Sequence, residues 1–587
     1  MSKRFLVTTS LEQTWPKDNK PVLFLGEWCC RYSRRHHWES LDAKVIPYHW
    51  DDRSKLYKDY LYLQTFYERL LGELTIQLNH IHNVDQSVRY WRILVGPWLF
   101  YFVQILFDRW ETIQRAIIQY DISETIILIG QDEQFIPNDM HGFESLFVMD
   151  DWNHHIYSKI LQNFLAPNQF KKKLIKTDVT TEVGSLKKSW RQNLRLLMSK
   201  ITSFVCRDKD VFLLSTYLPL REEIKLSCRL AQAPQFWRRE SVAKVKVNYA
   251  FRERMGYRLD EITFESFVRF IIPQQIPILY LEGYSQLIEQ INRLPWPKQP
   301  KLIWTGIAQC SDEVFKAWVG KKVDDGIPLV IGQHGGVYGI AKWTSWEKHE
   351  VSICDSYLSW GWSDLKQPKI VPVGQLKVKK SLQVLFQKKK RALLVTLVSP
   401  RFSYHMYAGP ISSQWIDYFK DQCTFIDSLP ELIQQEIIVR LYSHDYGWDQ
   451  ELRWRNRFPD IMLDNGKSNM GDLIRQSRLY ISTYNSTTYL ESFAMNVPTV
   501  IYWNTDHWEL RESAIPYFAE LKRVGIFHET PQSAARHVAI IWDNVDIWWN
   551  SPSVRDVLER FKTVYCRSSK GLLDRIKYSL RATIDDA

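Results

Sequence analysis

Arg478-Leu-Tyr-Ile-Ser-Thr-Tyr-Asn-Ser-Thr-Thr-Tyr-Leu-Glu-Ser-Phe-Ala-Met-Asn-Val-Pro-Thr-Val-Ile-Tyr-Trp503 decides the fold class. Residues 478–483 read as a strand and Tyr484 to Ser486 as a turn. Thr487 to Met495 reads as a short helix, stopped by Asn496 and Pro498 before a second strand over 499–503. This is one compact βαβ unit. Ser486 is a good N-cap, and the first helical N–H groups, with the positive end of the helix dipole behind them, face outward from the carboxyl edge of the sheet. An anion fits there. The hydroxyls of Ser482, Thr483, Ser486, Thr487 and Thr488 add donors without charge. Glu491, one turn on, is placed to accept from ribose hydroxyls. The plainer alternative is a capped helix with Glu491 on a solvated face.

The same alternation extends in both directions. Apolar or β-branched runs at Phe5 to Thr9, Val22 to Leu25, Thr125 to Gly130, Val211 to Thr216, Leu302 to Thr305 and Pro328 to Gly332 are separated by helical patterns such as Lys55 to Gln77 and Arg92 to Arg115. After Gly361 a second series follows, at Lys369 to Val373, Ala392 to Leu397, Ile437 to Leu441, Leu479 to Thr483 and Thr499 to Trp503. The reading is an α/β chain of two Rossmann-like domains. The first domain covers 1–365 with a helical insertion at about 169–241, the second covers 366–552, and a helical tail covers 553–587.

Ligands of open α/β sheets bind at the carboxyl ends of strands. There the sequence places Gly332-Gln-His-Gly-Gly-Val-Tyr-Gly339. Gly335, Gly336 and Gly339 permit close backbone approach, and His334 could donate to a phosphate oxygen or exchange a proton. The pattern is not the GxxxxGK[ST] of a P-loop. Arg440 and His444, flanking the end of a later strand, could neutralise a departing phosphate. Glu27, Asp51 and Asp52, together with Asp150 and Asp151, are the candidate base or nucleophile carboxylates. No DxD is present among them, so no metal and no cofactor are expected.

Length excludes a single core: 587 residues imply two to four packed units. The hydrophobic fraction of 45% excludes a disordered chain. Aromatic residues make up 14%, enough to stack on sugars as well as to fill cores. The net charge of +11 suits a phosphate-bearing surface, but the basic residues form only short clusters and no nucleic-acid module surrounds them. An anionic membrane face is therefore expected, and no nucleic acid. Eight cysteines lack CxxC spacing and read as reduced. The N-terminus shows no signal-peptide core, and Ile93 to Phe107 is too short to span a bilayer. The expected location is cytoplasmic, peripheral at the inner face of the cytoplasmic membrane.

The blocks LGEWC (25–29), YHWDDR (48–53), YWRILVGPWL (90–99), DDWNHH (150–155), GQHGGVYG (332–339), SWGW (359–362) and STYNSTTYLES (482–492) span nearly the whole chain. In combination they resemble a transferase family met in bacterial O-antigen and related surface-polysaccharide loci. More coarsely, the paired loops resemble GT-B glycosyltransferases, the glycerophosphotransferases of teichoic-acid synthesis, and the Kdo and sialic-acid transferases. The resemblance implies transfer of a sugar from a nucleotide-sugar donor, with a CMP-linked ulosonic or nonulosonic acid favoured, to a lipid-linked glycan. By it, His334 acts at the leaving phosphate or as an acid-base group, and Ser486, Thr487 and Glu491 bind the nucleotide. The alternatives are a CDP-polyol phosphotransferase and a non-catalytic carbohydrate-binding protein.

Overall fold

The computed structural model describes residues 3–130, 132–166, 169–176, 202, 204–237, 239–256, 261–377 and 391–586. Its strands form three sheets, parallel at every pairing. The first holds β1 (Arg4–Val7), β2 (Val22–Phe24), β3 (Ala43–Val45), β4 (Ile122–Ile129) and β5 (Lys171–Lys176), in the order β3-β2-β1-β4-β5. The second runs in simple sequence from β6 (Val211–Leu214) through β7 (Leu302–Thr305), β8 (Leu329–Gly332) and β9 (Ser356–Ser359) to β10 (Ile370–Pro372). The third holds β11 (Ala392–Val395), β12 (Ile437–Arg440), β13 (Met462–Asp464), β14 (Leu479–Ser482), β15 (Thr499–Tyr502) and β16 (Phe527–His528), in the order β13-β12-β11-β14-β15-β16.

The α/β class of Rossmann-like parallel sheets is thus what the chain has, but residues 1–365 carry strands of two sheets where the sequence reading placed one. The segment at 369–373, read as opening the last domain, instead ends the second sheet, with Ile370 opposite Tyr357. The helical insertion at 169–241 lies partly outside the described residues. Its described part supplies β5 at the edge of the first sheet and β6 at the edge of the second, with a helix at Leu220–Arg229.

Strand burial explains why these runs are apolar on both faces. In β11, Ala392 and Leu394 belong to one core cluster while Leu393 and Val395 belong to the other, as a covered parallel strand demands. The apolar run at 93–107 falls in a bent helix pair, Val88–Leu94 and Gly96–Gln119, at 70°. No single described helix is long and apolar enough to cross a membrane; this bent pair passes only when its members are combined. Its residues 96–110 are buried, and it packs on helix Glu313–Asp324 of the second sheet, where Lys316 Nζ donates to the Leu94 carbonyl at 3.1 Å. The final helices, Pro552–Tyr565 and Leu572–Asp585, run back to the second sheet. There Arg567 N donates to the Trp360 carbonyl at 2.8 Å and Arg575 Nε to the Val373 carbonyl at 2.5 Å.

Candidate functional site

The loop after β8 is built on Gln333. Its side-chain oxygen accepts from Trp360 N (2.8 Å) and Trp362 Nε1 (2.9 Å), and its amide donates to Gly335 O (2.7 Å). Trp360 Nε1 donates to the Gln333 carbonyl at 2.9 Å. The SWGW block is therefore the floor of this loop, and its indole N–H groups satisfy a glutamine that burial would otherwise leave costly. Above that floor stands His334. Its Nδ1 lies 3.1 Å from Oε1 of Glu350, a fully buried carboxylate on helix Ser345–Ile353, and Tyr338 Oη lies 3.3 Å from its Nε2.

The loop meets the third sheet directly. Gly336 N donates to Thr487 Oγ1 at 3.0 Å, and a Cβ placed on Gly336 would sit 2.7 Å from Thr487 Cα and 2.8 Å from Ser486 C and O. Only glycine fits this seam. The helix is Thr487–Ala494, with Ser486 at the N-cap position; its side chain makes no capping bond, contrary to the expectation that it caps. Ser486, Thr487 and Thr488 are half-buried, and Thr488 Oγ1 pairs with Tyr484 Oη at 3.0 Å. Glu491 is buried, with Lys377 Nζ 3.9 Å from its Oε1.

Other expected residues are accounted for differently. Ser482 and Thr483 are buried and turned inward: Ser482 Oγ donates to Tyr484 O at 3.2 Å and Thr483 Oγ1 to Val395 O at 2.8 Å. They brace the strand end rather than face a ligand. Arg440 is held by Asp464 and by the Gly466 carbonyl at 2.7 Å, so it is committed to closing the β12–β13 edge. His444 is exposed near the Tyr446 ring. Asp52 is the N-cap of helix Arg53–His82, accepting from Ser54 N and Lys55 N at 2.9 and 3.0 Å, which is a structural role. Asp51 lies 3.4 Å from the Gln414 amide, and Asp150 accepts from Ser10 N at 2.9 Å and pairs with Arg401. Glu27 is half-buried; burial raises its carboxyl above the ordinary range, with the charge of Arg453 opposing. The described contacts of Glu27, Asp51 and Asp52 lie away from the His334 loop.

Several residues at this seam gave no sequence signal. Tyr217, just after β6, is a non-glycine residue at φ +67°, its ring 6.0 Å from that of His334. Left-handed backbone at such a residue costs about 1–3 kcal/mol and concentrates at functional sites. Lys377 lies over the Tyr217 ring at 4.9 Å and is 41% exposed, which makes it a cation placed beside Glu491. Cys310, after β7, completes a second grouping: its Sγ, a ring nitrogen of His334 and a Glu350 carboxylate oxygen lie within 4.8 Å of one another. A soft sulfur beside an imidazole and a carboxylate is a set that could hold a transition metal.

A model of the LIC12162 family transferases matches residues 4–580. No curated protein matches. Among solved structures, the wall teichoic acid polymerase TagF is similar at 10% identity and a TM-score of 0.28, over 68% of this chain and 94% of that one. MurG of Acinetobacter baumannii is similar at 9% and 0.30, over 63% and 91%. Os79 from O. sativa, in complex with UDP, is similar at 11% and 0.31, over 52% and 82%.

Proposed function

The chain belongs to the LIC12162 family of transferases, and from that premise we propose that it is a glycosyltransferase of GT-B organisation working where the His334 loop meets the Thr487 helix. The observation that carries the reading is the seam itself. Gly336 N and Thr487 Oγ1, 151 residues apart in sequence, are 3.0 Å apart in space, so the two loops singled out for a phosphate and for its departure form one place. A nucleotide phosphate there meets the start of a helix with no side-chain cap and the ammonium of Lys377, while Glu491 is placed for ribose hydroxyls. His334, with Glu350 at Nδ1, addresses the leaving phosphate oxygen through Nε2. The bond from the anomeric carbon to that oxygen breaks, the electron pair stays on the phosphate, and the acceptor oxygen takes its place on carbon as its proton passes to a carboxylate base of the first domain.

Ser/Thr hydroxyls with one or two cations suit a single phosphate, so the donor in this proposal is a CMP-linked ulosonic or nonulosonic acid. The acceptor is a lipid-linked glycan of O-antigen or capsule, met at an anionic membrane face. A thermal-shift panel of CMP, CDP, UDP, UDP-sugars and an oligonucleotide tests the reading. Stabilisation by CMP above the others is expected, and a midpoint unmoved by every nucleotide refutes it. Glu491→Ala and His334→Ala should each nearly abolish transfer with the fold intact; wild-type turnover in both removes the site. Phosphate carried into the product would identify polyol-phosphate transfer instead.

A further inference from the structure

Cys310, His334 and Glu350 come from three separate places in the chain: the short helix Ala308–Ser311 after β7, the loop after β8, and helix Ser345–Ile353. Their ligand atoms nevertheless converge within 4.8 Å. His334 Nδ1 is buried and makes no aligned hydrogen bond, although Glu350 Oε1 is only 3.1 Å away. The surroundings orient the ligands rather than consume them. Gln309 Nε2 donates to Glu350 Oε1 at 2.8 Å, Tyr357 Oη donates to Glu350 Oε2 at 3.1 Å, and Tyr338 Oη sits at the far nitrogen of His334. Outer-shell bonds of this kind fix ligand geometry in metal sites.

We infer that these three side chains bind a zinc ion. A thiolate, an imidazole and a carboxylate form the borderline-soft set that zinc accepts, whereas magnesium and calcium take oxygen alone. Three protein ligands leave a fourth position for water or a substrate oxygen, the pattern of reactive rather than closed structural zinc. Zinc on Nδ1 commits the other ring nitrogen, Nε2, to carry the proton, so His334 becomes a fixed donor at the seam. This revises the sequence expectation of no metal, which rested on the missing DxD, a motif for a different kind of site. The inference shares His334 with the proposed transfer but stands whether or not that reaction is the right one.

The test uses the full chain, purified without a chelating tag and dialysed against micromolar zinc. Metal analysis should find about one zinc per chain, and Cys310→Ser should lose at least nine-tenths of it. Cobalt exchanged into the wild type should give a thiolate-to-cobalt charge-transfer band that Cys310→Ser lacks. Tyr357→Phe, which keeps all three ligands, should weaken zinc binding by about 10- to 100-fold. Should Cys310→Ser fail to fold, cadmium titrated into the wild type answers the same question through its sulfur charge-transfer absorption. A wild type that retains no zinc, or a folded Cys310→Ser that retains as much as the wild type, overturns the inference. Nucleotide stabilisation, read separately, shows whether the transferase reading falls with it.

Discussion

Gly336→Ala is the sharpest single perturbation of this site. The added Cβ would lie 2.7 Å from Thr487 Cα, and it needs about 0.7 Å more to reach an ordinary contact of 3.4 Å. The opposing atoms are backbone, Thr487 Cα with Ser486 C and O, so no side chain can swing aside. The loop and the helix must part, and the bond from Gly336 N to Thr487 Oγ1 lengthens with them. Overpacking of this kind costs about 1–3 kcal/mol of stability. A displacement approaching 1 Å between reacting groups costs about 100-fold in rate. Gly335→Ala is the matched control, because the nearest atoms to its Cβ belong to the Tyr338 ring, at 3.5 Å or beyond, an ordinary contact. Turnover and nucleotide affinity should therefore fall by about two orders of magnitude in Gly336→Ala and by no more than a few-fold in Gly335→Ala. The assay is steady-state transfer alongside circular dichroism. Equal losses in both variants, or near-wild-type turnover in Gly336→Ala, refute the claim that the seam positions the chemistry.

Three further outcomes follow from the same contacts. Arg440→Ala should lower stability by about 1–3 kcal/mol, since Asp464 loses its cation and the Gly466 carbonyl its donor, while nucleotide affinity stays unchanged; lost affinity in a stable variant would return Arg440 to the phosphate. Burial pushes His154 down to about 4, and its Nε2 accepts from Leu128 N at 3.2 Å, so protonation breaks that bond. Its contribution is complete above pH 6.5 and is lost as pH falls towards 4, because the unfolded chain takes up the proton first. His154→Gln should remove about 1.4 kcal/mol per pH unit of acid sensitivity from denaturation curves over that window, and an unchanged slope would count against it. Gln104 donates to Ser345 Oγ at 2.9 Å and accepts from Met406 N at 2.6 Å; Gln104→Leu leaves the buried Met406 N–H without its partner and should cost about 1–3 kcal/mol by urea denaturation, whereas a neutral result would show that the bridge is dispensable.

The fold class was legible because covered parallel strands advertise themselves as short apolar runs between helices. The number of sheets was not. Alternation says that a strand joins a parallel sheet and is silent on which sheet, so the residues at 369–373 were placed in the last domain although they pair with β9. Local chemistry was legible where both partners are near in sequence. Asp52, followed by Arg53-Ser-Lys at a helix start, carried a cap signal that its attraction as a carboxylate masked. Arg440 looked available because its partner Asp464 lies 24 residues on, in the neighbouring strand. Glu350 and Cys310 were beyond reach for the same reason. They reach His334 only through the order of β7, β8 and β9 in the sheet, which no spacing rule in the sequence encodes.

The first sheet's unit also decides how the seam behaves. It is bonded to both of its neighbours. Towards the second sheet, Arg89 donates to the Ile353 carbonyl at 2.7 Å and the Leu94 carbonyl receives Lys316. Towards the third, Arg53 grips Glu509 through two bonds of 2.8 and 2.7 Å and also reaches Gln414 at 3.0 Å, while buried Arg401 pairs with Asp150 and donates to the Trp28 carbonyl. Gln104 touches both sides at once. Swinging the third sheet away from both neighbours would break the Arg53 and Arg401 pairs together, with each separated charge regaining water. The two loops are thus in contact without any substrate, and the unit of the first sheet is bonded to the sheets that carry both of them. A single methyl group at Gly336 meets backbone on the far side of that contact and should register as lost turnover, whereas the Gly335 control, whose added atom presses on no backbone, should not.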